Sequence, residues 1–138
     1  AVGTIVTVIS LFFADLEIQN LFITITVVLL TSIVFSLAGF INALFANSFD
    51  DISIIPTFVL TPLIYLGGVF YSVELLPPFW KFISALNPIF YMVNTFRYGI
   101  LGASDVDVTW AFFILCVFIV ILFTSCIFLL RKGTGLRT

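Results

Sequence analysis

Few residues in this chain could carry chemistry, and most of them lie outside its apolar runs. The sequence has seven acidic residues, five basic residues and no histidine. The acids all fall between apolar runs or at their ends: Asp15, Glu17, Asp50, Asp51, Glu74, Asp105 and Asp107. Membrane-embedded hydrolases need a serine with histidine, paired aspartates or a zinc motif. We therefore expect no catalytic, cofactor or metal site, and only Arg97 is a base in a largely apolar context.

Polar and small side chains follow one line along an apolar segment. On a helical projection with 100° per residue, five residues fall within an arc of roughly 80°: Thr57, Thr61, Tyr65, Gly68 and Ser72. Lipid offers hydroxyl groups no partner, so such a stripe faces protein or a water-lined path. Hydrogen bonding between helices and a transport pathway both explain it. We expect Thr57, Thr61 and Tyr65 to face an interface between two copies of the protein.

Composition places these residues in a membrane protein. Hydrophobic residues make up 62% of the chain and charged residues 9%, whereas soluble domains keep roughly 25% charged residues. The net charge of −2 gives no indication of nucleic-acid binding. Cys116 and Cys126 lie in one apolar run, about 15 Å apart on a helix, which is beyond disulfide reach. The sequence thus predicts an all-α integral membrane protein, a bundle of transmembrane helices.

Apolar run lengths predict the order of the spans. Residues 1–13 are apolar but only about 20 Å long as a helix, short of the ~30 Å hydrocarbon core, and we interpret them as the end of a cut helix. Complete spans are predicted at 21–46, 52–71 and 108–130, with a tight loop at 47–51. The last span shows no polar face and is expected to face lipid. The basic tail at 131–138, with Arg131, Lys132 and Arg137, predicts a cytoplasmic C-terminus.

The first complete span also carries a stripe of small residues. They follow 4-3-4-3 spacing on one helix face: Ser32, Ser36, Gly39, Ala43 and Ala46. Small residues let helices approach closely in lipid. We expect Ser36, Gly39 and Ala43 to pack against another helix of the same subunit, although small residues are common enough in spans for chance to produce the pattern.

Residues 77–101 predict two short helices that form a re-entrant hairpin. Pro77 and Pro78 begin an amphipathic helix that carries Trp80, a residue suited to the headgroup region. Asn87 is the expected N-cap of the next helix, with Pro88 at its first position. That second helix is about 21 Å long, too short to cross the bilayer. Its polar face carries Tyr91, Asn94, Thr95 and Tyr98, with Arg97 at the edge.

A rival interpretation makes residues 82–102 a full span. Arg97 would then cost roughly 2.5–3.5 kcal/mol if it were central. The distribution of basic residues slightly favours this full span, whereas proline positions and helix lengths favour the hairpin. On the hairpin, Arg97 needs a partner. We expect Glu74, with Asp105 and Asp107 as rivals, or a backbone carbonyl.

The motifs in this region resemble a known family. Leu76-Pro77-Pro78-Phe79-Trp80, Asn87-Pro88, Tyr91 and Arg97-Tyr98-Gly99 are similar to the permease subunits of type-2 ABC exporters. The run from Asn47 to Ser72 and the closing Gly-Leu-Arg-Thr extend the likeness over essentially the whole chain. The resemblance implies that the family has six spans and that this chain corresponds to the part from the latter half of the third span to the C-terminus. It also implies that the hairpin is external and precedes the last span.

The resemblance further implies partners and a location. Two permease copies, as a homodimer, would bind two copies of a separate ATP-binding subunit in the bacterial inner membrane. ATP hydrolysis would occur in that partner, so this chain is expected not to be an enzyme. The remaining inner loop would face the ATP-binding subunit through Ser48, Phe49, Asp50 and Asp51. The alternative from a different class is a non-transporting membrane assembly or scaffold subunit.

Overall fold

The computed structural model describes residues 2–13 and 17–133, which contain helices and no strands. The α-helices are α1 (Val2–Phe13), α2 (Leu21–Phe45), α3 (Phe49–Ile55), α4 (Thr61–Leu66), α5 (Pro78–Ala85), α6 (Pro88–Leu101) and α7 (Val108–Arg131). A π-helical turn covers Pro56–Leu60, and a 3-10 turn covers Val73–Leu75. The predicted all-helical class is confirmed. The calls on Ala1, Asp15 and the tail beyond Gly133 lie outside the described residues.

Three helical stretches are long and apolar enough to cross a membrane: Leu21–Phe45, Phe49–Leu66 and Val108–Arg131. The second comprises α3, the π-helical turn and α4, and is called the middle span below. Helix α1 contacts none of the other described helices. These lengths and compositions fit the predicted membrane helix bundle.

Helices α2, α6 and α7 pack against one another and are called the three-helix core below. Val27 and Val34 are buried on α2, and Ala111 and Leu115 are completely buried on α7. Helix α6 buries seven of its residues: Ile89, Phe90, Tyr91, Met92, Asn94, Thr95 and Gly99. The shortest helix of the core is thus the most enclosed. The last span, expected to face lipid, also buries one side against α2 and α6 because Ala111 is small enough for close approach.

The middle span begins earlier than its predicted start at residue 52. Ser48 and Asp51 form a capping box, in which the Ser48 hydroxyl accepts from the Asp51 N–H and the Asp51 carboxylate accepts from the Ser48 N–H. This pairing satisfies the free amide groups of a helix start. Phe49 and Asp50 therefore lie in the first helical turn and not in a loop, which corrects the predicted loop at 47–51.

The middle span also ends earlier than its predicted end at residue 71. Its last helical residue is Leu66, and the chain turns at Gly67 and Gly68. Gly68 has a φ of 76°, a left-handed conformation that residues with a β-carbon rarely adopt. Gly68 and Ser72 therefore lie beyond the helix, and the predicted five-residue stripe is cut to its first three members.

The small-residue stripe of α2 lies on the face opposite its core. Val27 and Val34 point into the three-helix core, whereas Ser36, Gly39 and Ala43 are exposed. A β-carbon built on Gly39 would meet nothing within 4 Å. Within the described chain this stripe packs against no other helix, because Val27 and Val34 fill the α2 interface with larger apolar side chains. Its packing against another helix of the same subunit stays a prediction.

Candidate functional site

Both ends of α6 bind the broken end of the middle span. At the start of α6, the Asn87 amide donates to the Leu63 carbonyl at 2.6 Å. Near its end, the Arg97 guanidinium donates to the Gly68 carbonyl, also at 2.6 Å. The Tyr71 hydroxyl closes the turn on the Tyr65 carbonyl at 2.7 Å. A helix end leaves carbonyls without backbone donors, and lipid cannot supply any, so these side chains make the break possible.

Asp105 connects that broken end to the loop before α7. Its carboxylate accepts from the Ser72 hydroxyl at 3.1 Å and lies 3.5 Å from the Arg97 guanidinium. Its backbone N–H donates to the Asn94 side-chain carbonyl at 3.0 Å. This cluster, Gly68, Ser72, Asn94, Arg97 and Asp105, is called the Asp105 junction below. It brings together three segments that are distant in sequence.

The expected partners of Arg97 are thereby resolved. Glu74 was the first expectation, but it is exposed in the 3-10 turn and makes no ion pair among the described residues. Asp107 instead caps α7, where its carboxylate accepts from the Thr109 N–H at 2.8 Å. A backbone carbonyl and Asp105, the two other expectations, hold the guanidinium. Ser72, two residues before Glu74, is the residue of this segment that reaches the Asp105 carboxylate.

Asn87 has a second role that the sequence did not reveal. Its side chain accepts from the Ile89 N–H at 3.0 Å, which confirms the predicted N-cap, with Pro88 at the first position of α6. The other end of the same amide reaches Leu63. One buried amide thus starts α6 and ends the middle span, a contact that only the fold creates.

Helix α5 sits at the edge of this arrangement. It begins at Pro78, after Pro77 at its N-cap, and Trp80 on its first turn is 43% exposed. The Tyr91 hydroxyl donates to the Ala85 carbonyl at 2.7 Å and joins α5 to α6. The Ser84 hydroxyl, completely buried, has no hydrogen-bond partner among the described residues.

Most of the predicted polar face of α6 is buried and satisfied locally. Asn94 and Thr95 are completely buried. The Asn94 amide donates to the Phe90 carbonyl, and the Thr95 hydroxyl donates to the Tyr91 carbonyl. These residues form part of the core, whereas Tyr98 on the same face and Arg97 at its edge stay partly exposed.

The five residues expected along a pathway separate into two groups. Thr57, Thr61 and Tyr65 lie exposed on the middle span. The Thr61 hydroxyl donates weakly to the Pro56 carbonyl at 3.4 Å. Gly68 and Ser72 instead belong to the Asp105 junction. The structure does not bring the two groups together, because the helix ends between them.

A very close helix contact fixes α2 against α6. A β-carbon built on Gly99 would overlap the Thr24 hydroxyl and lie 3.0 Å from the Thr24 backbone nitrogen. The Asn20 N–H donates to the Gly99 carbonyl at 2.8 Å, and the Gln19 N–H donates to the Ile100 carbonyl at 3.2 Å. The sequence signal was Gly99 inside an otherwise helical run, where glycine indicates close backbone approach.

At the other end of the middle span, the predicted ATPase-facing residues differ sharply in environment. Ser48 and Asp51 are occupied by the capping box, whereas the Phe49 side chain is 91% exposed. The carboxylate of Asp50 is exposed on the first turn. In the described residues, no group of three or more His, Cys, Asp or Glu side chains could hold a metal ion.

Comparison with known proteins identifies the family. The family model described as ABC-2 type transporter matches residues 1–101. The chain belongs to the ABC-2 type transporter family. It is 55% identical over 138 residues to the inner membrane transport permease YadH of Escherichia coli strain K12, covering 99% of this chain and 54% of that protein. Nodulation protein J of Neorhizobium galegae is 30% identical over 130 residues, covering 94% of this chain and 50% of that protein.

These relatives set the extent of the likeness. The chain spans about half the length of the curated relatives it matches. No solved structure matches the chain. Four of the five residues of the Asp105 junction lie inside the family match, and Asp105 lies just beyond it.

Proposed function

We propose that the chain is the membrane part of a permease that exports its substrate with energy from a separate ATP-binding subunit. The observation that carries the proposal is membership of the ABC-2 type transporter family, with 55% identity to a protein named as an inner membrane transport permease. The spans contain no Asp or Glu near their middles, where ion-coupled transporters place such groups. An energy source outside these helices fits that pattern.

A second permease copy is the proposed partner of the middle span. Residues 52–59 are all exposed, and Phe58 on this stretch is 72% exposed. Thr57 and Tyr65 add hydroxyls that lipid cannot satisfy. Protein or a water-lined path against this face would supply partners, and a homodimer would place the path between two such faces.

The ATP-binding subunit is the proposed partner of the first turn of the middle span. The capping box holds the backbone of Ser48 and Asp51 rigidly. It projects Phe49 as an aromatic anchor with the carboxylate of Asp50 beside it. Aromatic side chains at the centre of an interface often dominate its binding energy.

This proposal places the protein in the bacterial inner membrane as a multi-pass protein. Arg131 and Lys132 follow α7 and support a cytoplasmic C-terminus by the positive-inside rule. One crossing, by α7, then puts α5 and α6 on the external side as a re-entrant hairpin. A second crossing, by the middle span, puts its Phe49 end on the cytoplasmic side.

Co-purification tests the ATP-binding partner. The full-length protein, extracted in mild detergent, should capture an ATP-binding subunit, and Phe49→Ala should weaken the capture. The matched control is Phe123→Ala, on α7, where Phe123 is also exposed. A folded full-length protein that captures no ATPase would favour a non-transporting scaffold subunit.

Cysteine chemistry tests the second copy. In a full-length variant without native cysteines, Thr57→Cys and Thr61→Cys should cross-link between two copies or react with aqueous thiol reagents. Val120→Cys on α7, where Val120 is 63% exposed, supplies the control. If the middle-span cysteines react as slowly as this control and never cross-link, their face contacts lipid and the dimer proposal fails.

A further inference from the structure

The two halves of the middle span are held differently. The half after the π-helical turn is anchored: Leu63 packs against the core, as does Leu60 at the end of the turn, and Asn87 binds the Leu63 carbonyl. Among the described residues, a side-chain bond from the Asn42 amide to the Ile52 carbonyl at 3.0 Å joins the half before the turn to α2. Residues 53–59, between these attachments, are all exposed.

The segment between the attachments has lost backbone hydrogen bonds. Pro56 has no N–H and cannot donate to the Ile52 carbonyl, four residues earlier, which is why that carbonyl is open to Asn42. Pro62 likewise cannot donate to the Phe58 carbonyl. The backbone widens between the two prolines into the π-helical turn Pro56–Leu60. Such turns mark places where helices bend and often lie at functional sites.

We propose that the π-helical turn is a hinge. The helix before it, residues 49–55, swings relative to the anchored half, and the bond between Asn42 and the Ile52 carbonyl is a latch for the position observed here. The capping box makes the swinging piece rigid, because Ser48 and Asp51 close its first turn. Motion of its Phe49 end is thereby converted into bending at Pro56.

The hinge has a use if the proposed function is correct. A partner that pushes the Phe49 end would open or close the face carrying Thr57 without disturbing the Asp105 junction. The use in transport rests on the proposed function, whereas the hinge itself does not. Its test accordingly needs neither ATP nor a substrate.

Spin-label distances in the full-length protein, reconstituted in lipid nanodiscs without any partner, test the hinge. One pair joins Ile54 to Phe128 and reports on the half before the turn. The other joins Ile64 to Phe113 and reports on the anchored half. All four side chains are exposed, and Cys116 and Cys126 are replaced by alanine. The first pair should give a broad distance distribution and the second a narrow one.

Three variants complete the test. Pro56→Ala restores the missing N–H and should narrow the first distribution to the width of the second. Asn42→Ala removes the latch and should shift the first distribution while leaving the second unchanged. Val59→Ala, inside the turn but with its N–H kept and on the side away from Thr57, should change neither.

Equal widths for the two wild-type pairs would overturn the hinge, as would an unchanged first distribution in Pro56→Ala. If Pro56→Ala does not fold, Asn42→Ala decides: an unchanged first distribution shows that no latch holds this half, and the proposal fails. If the full-length protein captures no ATP-binding subunit but the first spin-label pair still gives a broad distribution, the proposed function is rejected and the hinge is retained.

Discussion

The three-helix core and the middle span are both largely apolar but have different surroundings. Helix α6 buries half of its residues among α2 and α7, whereas none of the described side chains from Phe49 to Leu66 is buried. Burial does not follow apolar character, because the most buried helix, α6, carries Asn94, Thr95 and Arg97. In a membrane protein, an apolar sequence indicates that the segment lies in lipid. Close packing at small residues and hydrogen bonds from polar side chains decide which helix faces are buried.

The polar residues of the two regions differ in the same way. In the core region, Asn87, Asn94 and Arg97 each bind a carbonyl or a carboxylate. Along the middle span, the hydroxyls of Thr57 and Tyr65 make no side-chain hydrogen bond among the described residues. Polar groups therefore hold the core together in one region, whereas in the other these two hydroxyls contribute nothing to the fold of the described chain.

The largest effect is expected for Gly99→Ala in the core. The new β-carbon would meet the Thr24 backbone, which cannot move as a side chain can. Overpacking of this kind costs on the order of 3 kcal/mol, so the melting temperature and the yield of folded protein should fall. Gly39→Ala, where open space surrounds the glycine, is the matched control. Equal melting of both variants would show that α2 and α6 are not in this close contact.

The next largest effect is expected for Arg97→Ala at the Asp105 junction. Hydrogen bonds to charged groups contribute about 2 kcal/mol, and this site is partly exposed, with 24% of the Arg97 side chain accessible. The Gly68 turn should loosen and become sensitive to protease. Arg97→Lys should restore only part of the resistance, because lysine lacks the planar fork that reaches both Gly68 and Asp105. If Arg97→Ala keeps the protease resistance of the wild type, the Asp105 junction does not stabilise the Gly68 turn.

A smaller effect is expected for Asn42→Ala at the Phe49 end of the middle span. One neutral hydrogen bond contributes roughly 1 kcal/mol, and this one is exposed, so the loss should be below that value. Hydrogen exchange at residues 49–55 should rise while exchange in α6 stays unchanged. A rise in both regions would mean that the middle span and the core unfold together and would remove the contrast between them.

The smallest effect on stability is expected for Thr57→Ala on the exposed face. Its side chain contacts no other helix in the described chain, so the melting temperature should match wild type. The yield of cross-linked dimer from a neighbouring cysteine, Thr61→Cys, should instead change if this face meets a second copy. A lowered melting temperature with unchanged cross-linking would show that Thr57 supports the fold of a single chain.

Much of the helical layout could be predicted from the sequence because lipid imposes strong local rules. Length and composition alone indicated spans near 21–46 and 108–130, and the structure has helices at Leu21–Phe45 and Val108–Arg131. The Asn87 cap and the start at Pro88 follow from backbone chemistry that needs no tertiary contact. The resemblance to the ABC-2 type transporter family came from motifs of the same local kind.

What only the tertiary structure decided is which faces meet and which partners polar groups choose. The stripe of Ser36, Gly39 and Ala43 has the right spacing for packing, yet α2 presents Val27 and Val34 to the core instead. Arg97 had several possible acceptors in sequence, and the turn at Gly68 brought its own carbonyl and Asp105 within reach. A helix face or a charge specifies what kind of partner it needs. Which partner it finds depends on where the chain turns and how closely the helices pack.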